Sequence, residues 1–70
     1  MVAAINIFLN GENREVPGEV DLVRLLELFS LPQQRIAIEL NNNVIRRSVW
    51  HETIVHHRDK VEIVHFVGGG

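Results

Sequence analysis

The dipeptide Asn10-Gly11 constrains the fold of this chain more than any other pair of residues. Both central positions of a two-residue hairpin turn need positive φ, which asparagine tolerates and glycine adopts freely. Upstream, Ile5, Ile7 and Leu9 alternate with Asn6 and Phe8, the period of a strand with one buried face. Downstream, residues 12–16 are expected to return antiparallel and to stop at Pro17-Gly18.

A helical pattern follows. Asp21 is placed to N-cap a helix reaching about residue 29, with Val20 and Leu25 at the positions of a hydrophobic staple. Leu22, Leu25, Leu26 and Phe29 recur at i, i+3, i+4 and i+7, while Arg24 and Glu27 fall on the opposite side. Leu31-Pro32 is expected to end the helix, because Pro32 disfavours the α conformation in the residue before it.

Alternation resumes over residues 35–40, with Ile36, Ile38 and Leu40 on one face. Asn41-Asn42-Asn43 supplies a turn tolerant of left-handed backbone, and Val44-Ile45 begins a return strand. Ser48 is expected to cap a single helical turn that carries Val49 and Trp50, the one tryptophan and a candidate core plug. Residues 56–60 read as a polar turn and residues 61–67 as a final strand. The order is β-β-α-β-β-β. A one-faced helix beside an amphipathic hairpin implies two layers, with the first and last strands parallel at the sheet centre. The expected class is therefore α+β, a β-grasp arrangement of about five strands in a mixed sheet on one helix.

Composition excludes several functions. A 70-residue chain makes one small domain, in which about 60% of the unfolded surface is buried. Seven basic against nine acidic residues give a net charge of -2, without the basic footprint of a nucleic-acid binder. Without cysteine there is no disulfide, thiolate metal site or thiol nucleophile. The start lacks a basic n-region, its apolar run breaks at Asn6, and no stretch is long enough to span a bilayer, which points to a cytoplasmic protein off the membrane.

The end of the chain carries the most specific chemistry. Gly68-Gly69-Gly70 follows a strand-like run and has neither side chains nor charge beyond the terminal carboxylate. Residues 1–67 are expected to form the domain and residues 68–70 a flexible tail, since ordering glycine costs the most backbone entropy. Extended, residues 67–70 reach about 13 Å. Such an arm can thread a channel too narrow for side chains.

Taken together, Ile7 to Glu12 (Ile-x-Leu-Asn-Gly-Glu), Leu25-Leu26, Glu39-Leu40-Asn41, the run 44–50 with Ser48-Val49-Trp50, the run 59–64 and the terminal glycines resemble the ThiS family. Its members are ubiquitin-like sulfur carriers of thiamine biosynthesis. The chain departs from the family at Arg46, where proline is usual, and at His57-Arg58-Asp59, where Asp-Gly-Asp is usual.

The resemblance implies that the Gly70 carboxylate is adenylated by a ThiF-like enzyme of the ubiquitin-activating type, which uses ATP. Sulfur from a persulfide donor would displace AMP and leave a thiocarboxylate, which thiazole synthase would consume. Gly68 and Gly69 would thread the partner's channel. The chain would itself be a carrier rather than an enzyme, binding no cofactor and monomeric when free. The alternatives within this chemistry are the small subunit of molybdopterin synthase and a protein-conjugating modifier. A non-catalytic β-grasp interaction or RNA-binding module shares the fold and is the alternative from another class.

Other features compete less well. His51, His56, His57 and His65 lack the spacing of a metal site and read as solvated surface residues. Ser30 and Ser48 occupy helix-end or cap positions, so no Ser-His-Asp arrangement is arguable. Alternation places Glu62, Val64 and Phe66 on the face away from the helix, together with Phe8 and Ala37. Phe8, Val64 and Phe66, clustered near the root of the tail, are therefore the candidate partner-binding residues.

Overall fold

The structure, a computed structural model, describes residues 2–66. Asn10 and Gly11 take the left-handed backbone that their turn demands, with φ of 50° and 82°. Strands β1 (Ala4–Leu9) and β2 (Glu12–Pro17) close around them antiparallel, Leu9 opposite Glu12 and Ala4 opposite Pro17. Helix α1 (Leu22–Leu28) follows, then β3 (Ile36–Leu40), β4 (Asn43–Ile45) and β5 (Lys60–His65). The sheet order is β2-β1-β5-β3-β4, with β5 central, parallel to β1 and antiparallel to β3. This is the expected β-grasp: the chain leaves the hairpin, crosses through α1 and returns to the sheet centre in β5.

The period-2 pattern decides which face is covered. Ile7, Leu9, Val16, Ile36, Ile38, Val61 and Ile63 are all buried on one side of the sheet, against Leu22, Leu25 and Leu26 of α1. Each such side chain stabilises the fold by about 1.5–3 kcal/mol on leaving water. Asp21 Oδ1 accepts the Arg24 N–H at 2.8 Å, so the predicted N-cap is formed.

The helix ends differently from expectation. Ser30 N–H donates to Glu27 O at 3.1 Å and Leu31 N–H to Leu26 O at 2.8 Å, with Ser30 at φ 54°. That pair of bonds is a Schellman motif, which satisfies the final carbonyls before Pro32 is reached. Phe29, the C-cap, is only partly buried, and the Arg14 guanidinium stands 5.9 Å from its ring centroid. A left-handed serine carries the Cβ penalty that glycine lacks. Ser30→Gly is accordingly expected to stabilise the protein by about 0.5–1 kcal/mol, read as a higher midpoint in urea at unchanged slope.

A second correction concerns Ser48. The segment after β4 is a 3₁₀ helix, Arg47–Glu52, whose N-cap position is Arg46 and whose cap makes no side-chain hydrogen bond. Ser48 lies inside the helix because β4 runs straight into it, two residues earlier than the sequence suggested. Arg46 has φ −61°, a value that proline would also hold, so arginine in place of the resembled family's usual proline needs no different φ there. Trp50 is buried as anticipated, and its indole N–H donates to Ile45 O at 2.8 Å.

The turn before β5 is built on Asp59. Its carboxylate accepts the His56 N–H at 2.7 Å and the Asn41 side-chain amide at 3.0 Å, while Asn41 Oδ1 accepts the Lys60 N–H at 2.9 Å. Arg58 takes φ 73°, a left-handed position at the place where the family usually has glycine.

Candidate functional site

Strand β5 leads to the expected reactive end, so the grip on β5 decides where the arm leaves the domain. Strand β1 stops at Leu9, beside Val61, and the parallel ladder ends there. Asn10 continues it: its N–H donates to Val61 O at 2.9 Å and its Oδ1 accepts the Ile63 N–H at 2.7 Å. An asparagine side chain here stands in for a backbone carbonyl beyond the strand. On the other side β3 pairs through Ile36 opposite His65, and Phe66 N–H donates to Arg35 O at 2.8 Å. Arg35 holds φ 60° to present that carbonyl. Backbone bonding thus runs to Phe66 on the β3 side and to Ile63 on the β1 side. Val67, Gly68, Gly69 and Gly70, with the expected threading segment and carboxylate, lie outside the described residues.

The outward face of the sheet carries the candidate docking residues. Phe8, Val64 and Phe66 are 38%, 47% and 58% exposed, on the side away from α1 as the alternation predicted. Their clustering is corrected by the register. Phe8 lies opposite Lys60 at the start of β5, whereas Val64 lies opposite Ala37. Four residues of strand, about 13 Å, separate Phe8 from Val64 along β5. Only Val64 and Phe66 stand near the root of the tail. The offset of a parallel pair is set by a long crossover, which no local pattern encodes.

Between the two apolar ends lies a feature the sequence did not single out. Glu62 of β5 is directly opposite Glu39 of β3, and Glu39 is directly opposite Val44 of β4, which is 71% exposed. Lys60 Nζ approaches Glu62 at 4.0 Å. Among the described residues Glu39 has neither an ion pair nor a side-chain hydrogen bond.

Elsewhere the chain offers a groove of about 510 Å³, lined in part by Val2, Ile5, Gly18, Ile54, His56 and His57. It sits where β1 and the segment before β5 begin, at the far end of the sheet from Phe66. His57 Nδ1 accepts the Asn6 N–H at 3.1 Å, which gives this histidine a structural partner. His51, His56 and His65 are exposed.

Known proteins resemble this chain in sequence and in fold. The model of the ThiS family matches residues 7–70. The chain belongs to the ThiS family. It is 35% identical over 63 residues to the sulfur carrier protein ThiS of Bacillus subtilis, covering 89% of this chain and 96% of that protein. The crystal structure of the thiamine biosynthesis protein ThiS from Geobacter metallireducens superposes with a TM-score of 0.84 at 30% identity, covering 94% of this chain and all of that one. A thiazole synthase of Magnetococcus marinus is 32% identical over 66 residues, which are 94% of this chain but only 20% of that protein. The ThiS-family chain described here is thus a small sulfur carrier of thiamine biosynthesis in the ubiquitin-like β-grasp fold, not itself an enzyme. Among the described residues no helix is long and apolar enough to cross a membrane.

Proposed function

We propose that the Gly70 carboxylate is the sulfur-bearing group of this carrier. The family match running through residue 70, onto three glycines after a strand bonded up to Phe66, carries this reading. A carboxylate is a poor electrophile, and the ATP-using step makes it a good one. Its oxygen attacks the α-phosphorus of ATP on a ThiF-like activating enzyme and pyrophosphate leaves, giving an acyl adenylate. A persulfide sulfur then attacks the acyl carbon and AMP departs; cleavage of the resulting S–S bond by a thiol frees the thiocarboxylate. Glycines leave the acyl carbon open to attack, and in a chain without cysteine no side-chain thiol competes for the sulfur. Thiazole synthase is the acceptor, a role supported by the Magnetococcus marinus thiazole synthase, one fifth of which resembles this chain. The carrier itself holds no cofactor and acts as a cytoplasmic monomer, with residues 68–70 as the arm offered to the partner.

The test is intact mass spectrometry of the chain after incubation with ATP, magnesium, sulfide and a ThiF-like enzyme. A mass gain equal to one oxygen-to-sulfur exchange, dependent on ATP, is expected. An unchanged mass, or a mass showing attachment to a lysine of another protein, would replace this reading.

Docking is assigned to the outward sheet face, with Val64 and Phe66 near the arm and Phe8 at the other end. Phe66→Ala is expected to weaken binding to the activating enzyme by about 1–3 kcal/mol, with little loss of stability because the ring is more than half exposed. Phe8→Ala should weaken it less. Calorimetric titrations beside thermal melts would show this, and normal binding by both variants would remove the face from the proposal.

A further inference from the structure

The sheet narrows before the arm leaves it. β4 stops at Ile45, opposite Ile38, and β1 stops at Leu9, opposite Val61. Beyond those rows only β3 and β5 continue, Ala37 opposite Val64 and Ile36 opposite His65, with Phe66 N–H on Arg35 O at 2.8 Å. The root of the arm is therefore a two-stranded ribbon, the form of sheet that twists most. Buried Ile36 holds its inner side to the core, but among the described residues no strand lies along either edge.

The ribbon joins the wider sheet at the row of Ile38 and Ile63, which Ile45 flanks on one side. On the other side the flank is a side chain. Asn10 Oδ1 accepts the Ile63 N–H at 2.7 Å, in a part-buried bond that spans 53 residues of sequence. The hairpin turn does not account for this bond. It needs positive φ at residue 10, which glycine would supply as well as asparagine does at φ 50°. What asparagine adds is the carbonyl on β5.

We infer that Asn10 is a positioning residue for sulfur loading: its side-chain carbonyl pins the ribbon at Ile63 and so aims the arm at the partner's channel. This role rests on the Gly70 reading above and adds to it a residue near the opposite end of the chain. Phe66 stands about 10 Å beyond Ile63 along the strand, so a tilt of about 6° at the hinge moves it by about 1 Å. A displacement of that size at a reacting group can cost about 100-fold in rate. A loosened ribbon still visits the correct place part of the time, so its loss is smaller.

The experiment compares N10G, which keeps the turn's backbone and removes the acceptor, with N10D, which keeps both. Intact mass spectrometry follows ATP-dependent sulfur gain by the full chain, at varied concentration, with a ThiF-like enzyme, magnesium and sulfide. The assay runs well below the melting temperature of each variant. N10G is expected to lower kcat about tenfold with KM within about threefold, because the Val64 and Phe66 side chains that dock are unchanged. N10D should return kcat to within about twofold of the unmodified chain, since a carboxylate oxygen accepts the same N–H. Hydrogen exchange read by NMR should show the Ile63 amide opening at least about tenfold faster in N10G and protected in N10D.

A normal kcat in N10G, a kcat in N10D as low as in N10G, or a fall in kcat that only follows the folded fraction would each overturn the positioning role. The Gly70 reading would stand in all three cases. An unmodified chain that gains no sulfur would overturn the Gly70 reading, and the role of Asn10 with it.

Discussion

Trp50→Ala is expected to leave this chain largely unfolded at 37 °C. A domain of this size is stable by about 4–10 kcal/mol. Truncating a buried tryptophan costs about 3–5 kcal/mol in lost transfer energy and cavity. Trp50 is 2% exposed, so it falls in that class. Two further losses come with it. Ile45 O loses its indole donor, and Arg47, whose guanidinium lies 4.4 Å from the ring centroid, loses its stacking surface. The 3₁₀ helix packs against α1, and Trp50 is the one buried member of Arg47–Glu52. The melting temperature should fall by about 15–30 °C, followed by circular dichroism. Trp50→Phe keeps most of the apolar volume and should cost much less. If the alanine variant melts within a few degrees of the unmodified chain, the side chain is not the plug that its burial indicates.

Trp50 also shows why so much of the fold was legible. In a 70-residue chain there is room for one core, and every element must contribute to it. β1, β3 and β5 therefore carry a clean alternation: Ile7 and Leu9, Ile36 and Ile38, Val61 and Ile63 all face inward as their period required. Asn10-Gly11 fixed the first hairpin, and Asn41 and Asn42, at φ 51° and 71°, did the same for the second. Local chemistry was enough wherever the determining partner lay within a few residues.

Where the partner was distant, local pattern failed. The sequence places the helix stop at Leu31-Pro32, but Ser30 turns left-handed before it, a state glycine would advertise and serine does not. Ser48 looked like a cap because serine favours that position, yet the end of β4 placed the cap at Arg46. Phe8 shares a face with Val64 and Phe66, which is all that alternation reveals; the parallel register that separates them depends on the long chain between Phe8 and Lys60. The Glu39–Glu62 pair is of the same kind, 23 residues apart in sequence and directly opposite only once β3 and β5 are aligned.

At the other end of the chain the largest effect on function should come with no effect on stability. Appending one alanine after Gly70, or deleting Gly70, is expected to lower ATP-dependent sulfur loading at least about 100-fold, while both melting temperatures stay within about 1 °C. The reasoning is geometric. β5 is hydrogen-bonded up to Phe66, by β3 and Arg35 on one side and, as far as Ile63, by Asn10 on the other, so the root of the arm has a fixed place. From that root the arm has a set number of residues. Removing one shortens its reach by about 3.3 Å, and adding one carries the carboxylate past the acyl position by a similar distance. A misplacement of about 1 Å can already cost 100-fold in rate. The deletion is the sharper of the two tests, because it still ends in a glycine carboxylate and changes only the distance. If it loads sulfur at the normal rate while the extended chain does not, the partner recognises a glycine end rather than a measured length. If both load normally, the sulfur is carried somewhere other than the terminal carboxylate. In neither variant should the core respond, since the residues removed or added lie beyond the last strand.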